Sequence, residues 1–245
     1  MAHRKQALSA GGAVAAVLVG TVAIAAGWSW GVLLVAFFLS SSALSRAGVD
    51  IKERRTRGML EKGQARDAGQ VAANGGLFAL AAALSLLHPW EGWRALAAGA
   101  LATATADTWG TEVGTLSSTL PRSITSWRRV HPGQSGGVTP LGSVATLAGA
   151  AFVAAIAWLL GWGAGTAQGA LVGGVAGAMT DSIAGSLLQS RRRCARCEAI
   201  TERRVHTCGA RTERAGGVAW LDNDAVNALS CVAGAGVALA WWGAR

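Results

Sequence analysis

Seven apolar stretches, each close to the roughly 20 residues a helix needs to cross a bilayer, constrain this 245-residue chain more than any other feature. They fall at 7–26, 28–45, 69–87, 93–117, 138–160, 167–189 and 220–242. Three of the segments between them are strongly basic. Arg46 to Arg66 holds seven Lys or Arg, Pro121 to His131 holds Arg122, Arg128 and Arg129, and Ser190 to Arg214 holds eight Arg. The short connections 88–92 and 161–166 hold none. Lys and Arg accumulate on the cytoplasmic side of membrane proteins. With a cytoplasmic N-terminus, seven passes bring Arg4, Lys5 and all three basic segments to that side. That accounts for twenty of the 22 Lys and Arg and leaves only Arg94 and Arg245 outside. Six passes would strand at least one basic segment on the wrong side. The expected fold is therefore all-α: a single polytopic membrane domain over 1–245 with about seven transmembrane helices and the N-terminus cytoplasmic. Cytoplasmic loops are expected at 46–67, 118–137 and 190–217. The start of the chain, His3-Arg4-Lys5 before an apolar run, mimics a signal peptide, but no convincing small-residue cleavage site ends it, so it is read as a retained first helix.

Composition agrees with a membrane helix bundle. Only 14% of residues are charged, against about a quarter in soluble domains. The 34 Gly suit close helix packing. Trp28, Trp30, Trp90, Trp93, Trp158, Trp162, Trp241 and Trp242 fall near the outer ends of the stretches, where an interfacial belt is expected. The net charge of +9 follows from orientation and headgroup contact, so no nucleic-acid partner is expected.

Acids inside such stretches are costly and need a partner or a purpose. Asp107 and Glu112 lie in the fourth stretch, Asp181 in the sixth, and Asp222, Asn223, Asp224 and Asn227 open the seventh. The charge-based threading puts all of them in the cytoplasmic half, Asp107 about 15 Å from the end of its helix. Asp107 and Glu112 are five residues apart and diverge by roughly 140° on a straight helix. They can share an ion only if Gly110 and Gly114 bend or break it; otherwise each pairs separately and pins helices together. Carboxylate and amide oxygens together suit Mg²⁺, which accepts one or two carboxylates plus substrate phosphates, so Asp107, Asp181 and Asp224 are the expected metal contacts. Residues 133–142, with Gly136, Gly137 and Thr139, lead into the fifth stretch; glycine-rich backbone at a helix N-terminus favours an anion. Arg128 and Arg129 precede it as further phosphate contacts. Trp109 sits beside the acids, where it could face a substrate. Cys194-x-x-Cys197 followed by His206-x-Cys208 has zinc-ligand composition, with a tight second pair; any Zn²⁺ there is expected to be structural. The alternative is four polar positions in a basic loop.

Four pieces in order carry a resemblance to a known family: Ala106 to Gly114, Gly136 to Gly142, Asp181 to Gly185 with Gln189, and Asn223-Asp224 with Asn227. The run Cys194, Cys197, Thr201-Glu202, His206 and Cys208 also looks like many prokaryotic members. The chain resembles, over nearly its whole length, the family of integral membrane proteins that includes transmembrane protein 19 and the plant chloroplast phytyl-phosphate kinase. The resemblance implies a membrane kinase of isoprenoid monophosphates, related to CTP-using dolichol and phytol kinases. Asp107, Glu112, Asp181 and Asp224 would be its catalytic acids, with Thr108, Gln189, Asn223 and Asn227 at the substrate. Its partners would be a nucleoside triphosphate (CTP or ATP), a prenyl phosphate and the cell membrane, with the site facing the cytoplasm. No Gly-x-x-x-x-Gly-Lys-Ser/Thr is present, so a P-loop kinase is not expected. The competing reading is a cation- or proton-coupled transporter. Such a protein wants its acids near the midplane with access from both sides, whereas these cluster toward one face. The sequence leaves the oligomeric state open.

Overall fold

In an apolar setting the backbone must satisfy its own hydrogen bonds, and long Ala, Leu and Gly runs without interior proline do so as helices. The computed structural model describes residues 7–59 and 65–245; Arg4, Lys5 and Lys62 lie outside the described residues. Its helices are α1 (Ala10–Ala26), α2 (Trp28–Arg46), α3 (Val49–Arg55), α4 (Ala68–Leu87), α5 (Gly92–Gly114), α6 (Pro140–Leu159), α7 (Ala164–Leu187) and α8 (Asn223–Gly243). All but the short α3 coincide with the seven apolar stretches, within three residues at every end. Their starts are written in the sequence. Asp67 and Gln70 form a capping box on α4, Thr139 caps α6 ahead of Pro140, and Asp222 caps α8 by accepting from the Ala225 N–H.

Among the described residues five helices, α2, α4, α6, α7 and α8, are long and apolar enough to cross a membrane by themselves. α1 is apolar but only 17 residues long. α5, with its Thr, Gly and two acids, falls outside that set by composition, and its place in the bundle shows how it can. It packs against α2, α4, α6, α7 and α8, and twelve of its 23 residues are buried, including every residue from Ala97 to Ala106. A helix surrounded by other helices can carry Thr103, Thr105, Asp107 and Thr108, since it need not face lipid.

Small residues set how closely these helices approach. A Cβ on Gly142 of α6 would lie 2.9 Å from the Gly110 carbonyl oxygen and 3.2 Å from the Gly114 Cα of α5. Glycine is therefore required where the two helices cross. Gly169 and Gly173 of α7 lie against Gly234 and Ala238 of α8 in the same way. The aromatic belt is only partly as expected. Trp28 and Trp158 are exposed, but Trp30 and Trp162 are buried and pack at 4.9 Å between ring centroids. The Trp162 indole N–H reaches the Ser29 hydroxyl at 3.1 Å. Buried Trp with a polar partner is core packing.

The basic segments contain more structure than loops. The first forms α3, and the second is a hairpin in which β1 (Arg122–Ser123) pairs antiparallel with β2 (Gly137–Val138). In the third, β3 (Arg191–Cys194) lies between β4 (Ile200–Thr201) and β5 (Thr212–Gly216), both antiparallel to it. The fold is thus a helical membrane bundle carrying two small sheets that an all-α reading omits. Strands of two to five residues give too short a period for the sequence to reveal.

Candidate functional site

One cleft of about 770 Å³ gathers most of the polar residues singled out in the apolar stretches. Asp107 and Thr108 enter it from α5, Asp181 from α7, and Asn223, Asp224 and Asn227 from the first turn or two of α8. Gly136, Gly137 and Thr139 line it from the approach to α6, and Gln189 from just beyond α7. Three carboxylates from three helices therefore share one space. Asp107 and Asp181 are close enough to act on each other electrostatically. Asp181 Oδ2 is buried and has no hydrogen-bond partner among the described residues. Neighbouring carboxylates repel unless a cation or proton lies among them. Carboxylate and amide oxygens are the donor types Mg²⁺ takes, and Asp107, Asp181, Asp224, Asn223 and Asn227 bring both types to this one cleft.

Glu112 lies elsewhere in the cleft. Its two carboxylate oxygens are taken by the Ser45 hydroxyl and by Lys52 Nζ, each at 2.6 Å. α5 runs unbroken through Gly110 and Gly114, so Asp107 and Glu112 do not converge on one ion, and separate pairing holds for Glu112. Lys52 is itself buried, and its ammonium also donates to the Leu44 carbonyl at 2.6 Å.

The cations of the cleft differ from those expected. Arg128 and Arg129 are exposed on the β1–β2 hairpin and do not line it. The lining cations are instead Lys52, Arg55 and Arg57 from α3 and just past it, Arg66, Arg192 from β3, and Arg203 and Arg204 from the connection between β4 and β5. Arg55 is anchored on the Thr115 and Ser117 carbonyls just past α5. Burial pulls the Arg66 guanidinium below its ordinary range, and the nearby Glu112 carboxylate pushes it back up. These cations were hidden in the sequence because seven Lys and Arg in one segment do not say which face folds inward. The one available signal was the spacing of Lys52 and Arg55, which puts both on one face of a helix.

Other residues have plainer roles than expected. Trp109 is not in the cleft; its ring packs on Phe152 of α6 at 5.1 Å between centroids. The Thr139 hydroxyl accepts from the Gly142 N–H at 3.0 Å as the cap of α6. Gly136 has φ of 76°, and a Cβ there would lie 2.6 Å from the Ser182 carbonyl oxygen. It lets the hairpin pass close against α7. Glu202, which lines the cleft, accepts from Ser135 Oγ at 2.6 Å and Gln189 Nε2 at 2.8 Å. It thereby links the sheet, the glycine-rich segment and the end of α7.

A second cluster stands apart from the acids. Ligand atoms of Cys194, Cys197, His206 and Cys208 all lie within 4.8 Å of one another, and the cysteines are free thiols. The backbone N–H of Cys197 helps bring the Cys194 thiol down to about 7, while the hydrogen bond with Cys194 drives Cys197 up to about 11.

The profile described as integral membrane protein DUF92 matches residues 1–235. The chain is similar to Protein PGR of Arabidopsis thaliana, 30% identical over 258 residues, covering 93% of this chain and 86% of that one. It is also similar to the uncharacterized membrane protein MJ0933 of Methanocaldococcus jannaschii, 31% identical over 135 residues, 55% of this chain and 54% of that one. No solved structure matches.

Proposed function

The chain belongs to the integral membrane protein DUF92 family, and from that premise and the cleft we propose that it is a membrane-embedded phosphotransferase. It converts an isoprenoid monophosphate to the diphosphate, using CTP or ATP and Mg²⁺, with the cleft open to the cytoplasm from a multi-pass position in the cell membrane. The observation that carries the reading is the meeting of three carboxylates from α5, α7 and α8 with a rim of Lys and Arg in one cleft.

Phosphoryl transfer asks a protein for alignment and charge neutralisation more than for covalent chemistry. In the proposed reaction an oxygen of the lipid monophosphate attacks the terminal phosphorus of the nucleotide. The bond from that phosphorus to the bridging oxygen breaks, and the nucleoside diphosphate leaves. Asp107, Asp181 and Asp224 would hold Mg²⁺, which supplies charge neutralisation to the nucleotide phosphates when bound. Arg57 and Arg192 would orient the two phosphate-bearing substrates, with Lys52 held on Glu112 at the cleft wall. Asn223 and Asn227 would present amide groups to the metal or to phosphate oxygens. The exposed apolar faces of the helices leave the isoprenoid chain in lipid while its phosphate enters the cleft.

The test is turnover of the purified protein with CTP or ATP, Mg²⁺ and a panel of prenyl monophosphates. Formation of a prenyl diphosphate is expected. Absence of product across the panel, together with cation-dependent solute movement in liposomes, would establish the transporter reading instead.

A further inference from the structure

We propose that Cys194, Cys197, His206 and Cys208 bind one Zn²⁺, and that this ion holds the small sheet in the position from which it shapes the rim of the cleft.

The ligands arrive on two turns. Cys194 ends β3, and the Glu198 N–H returns to its carbonyl at 2.9 Å, curling Cys197 back toward it. In the second turn the His206 N–H donates to the Ala210 carbonyl at 3.0 Å and the Gly209 N–H to the His206 carbonyl at 2.9 Å. His206 and Cys208 thus face the first pair. Sγ of Cys208 lies 3.5 Å from that of Cys194 and 3.7 Å from that of Cys197. His206 Nδ1 lies 3.2 Å from Cys197 Sγ and 3.3 Å from Cys208 Sγ. Tetrahedral zinc with Zn–S of about 2.3 Å and Zn–N of about 2.0 Å separates its ligand atoms by roughly 3.5–3.8 Å. The two sulfur–sulfur distances fall in that range and the two nitrogen–sulfur distances, 3.2 and 3.3 Å, just under it, so a small outward shift of the His206 ring seats a zinc ion among the four. Three thiolates and one imidazole close the coordination sphere, which is the composition of a structural ion.

The sheet needs such a link. Of its large apolar side chains, Ile200 and Val205 are exposed, so no hydrophobic core joins the two turns. Small units of this kind depend on disulfides or metals for stability, and the cysteines form no disulfide. What the sheet positions is the rim. From β4, Thr201 donates to the Gly58 carbonyl at 2.6 Å, and the Glu202 N–H donates to the Met59 carbonyl at 2.9 Å. Glu202 then takes Ser135 and Gln189. The His206 ring, bound to the metal through Nδ1, leans its Nε2 side toward Gly58. Zinc would thus fix the end of α3, the glycine-rich segment and the end of α7 relative to one another.

Metal analysis of the full-length protein, purified in detergent without chelator, is expected to find one zinc per chain. Replacement by Co²⁺ is expected to give thiolate-to-metal charge transfer and the visible bands of a tetrahedral site. Cys197→Ser should lose the zinc, whereas Cys231→Ala, in α8, should retain it. Should the serine variant fail to fold, thiol labelling of the wild type decides the matter. Cys197 and Cys208 are exposed, so only a bound metal protects them; chelation should make them reactive and restored zinc should protect them again. Metal-free wild type with freely reactive thiols, iron in place of zinc, or unchanged zinc in Cys197→Ser overturns the proposal.

Discussion

The two halves of α5 obey different rules. From Ala97 to Ala106 the helix is small, dry and buried among its neighbours, with Thr103 and Thr105 returning their hydroxyls to the Gly99 and Leu101 carbonyls. From Asp107 to Gly114 it borders the polar cleft and carries both of its acids. The first half shows how close helices come when side chains are nearly absent. The second shows what that closeness positions: Asp107 reaches the same space as Asp181 and Asp224 because α7 and α8 pack so tightly on α5. Packing at one end sets the geometry of the other.

Asp107→Asn should separate the halves most sharply. It keeps the shape and removes the charge, so turnover is expected to fall by more than the roughly 100-fold that loss of an outer ligand partner costs. Thermal stability should change little, as measured by melting in detergent. Equal loss of stability and turnover would mean that Asp107 is a packing residue like its neighbours one turn back.

Gly173→Val tests the converse. A Cβ there would lie 2.3 Å from the Gly234 carbonyl oxygen and 2.9 Å from the Ala238 Cβ, and overpacking against backbone costs about 3 kcal/mol or more. Melting temperature should drop and turnover per folded molecule should fall with it, because the α7–α8 contact sets where Asp181 and Asp224 stand. A variant that melts low yet turns over at the wild-type rate would break that link.

Lys52→Met probes the border between the halves. It leaves the Glu112 carboxylate without its ion-pair partner. The expected destabilisation is about 2–3 kcal/mol, below the limit for fully buried pairs, because the Glu112 side chain keeps 23% exposure. Adding Glu112→Gln should recover most of that loss, and a double-mutant cycle by chemical denaturation measures the coupling.

The smallest effect belongs to Arg128→Ala with Arg129→Ala. Both side chains are exposed outside the cleft, so stability should stay within about 0.5 kcal/mol and KM for the nucleotide should be unchanged. Arg57→Ala, at the cleft, should raise that KM.

The helices were legible because a long apolar stretch has few alternatives, and each was located within three residues. Asp107, Asp181, Asp224, Asn223 and Asn227 were legible as cleft residues for a related reason: a polar group in an apolar stretch has to be accounted for. Basic residues outside the stretches carry no such burden. Arg128 and Arg129 looked as suitable as Lys52 and Arg192, and only the tertiary fold tells them apart. Glu112 was visible as costly, but its partners Ser45 and Lys52 lie more than 50 residues earlier in the chain, and no local pattern names them. Trp109 is adjacent to the site in sequence but packs outside it, and Thr139 lines the cleft while its hydroxyl serves as the cap of α6.

The most direct measurement follows labelled terminal phosphate from nucleotide to lipid under single-turnover conditions, with wild type and Asp107→Asn in parallel. The account predicts Mg²⁺-dependent appearance of label in a prenyl diphosphate with the wild type and none on the same timescale with Asp107→Asn, the variant being equally folded. Label that never leaves the nucleotide in the wild type, or transfer at the same rate in both proteins, would contradict it.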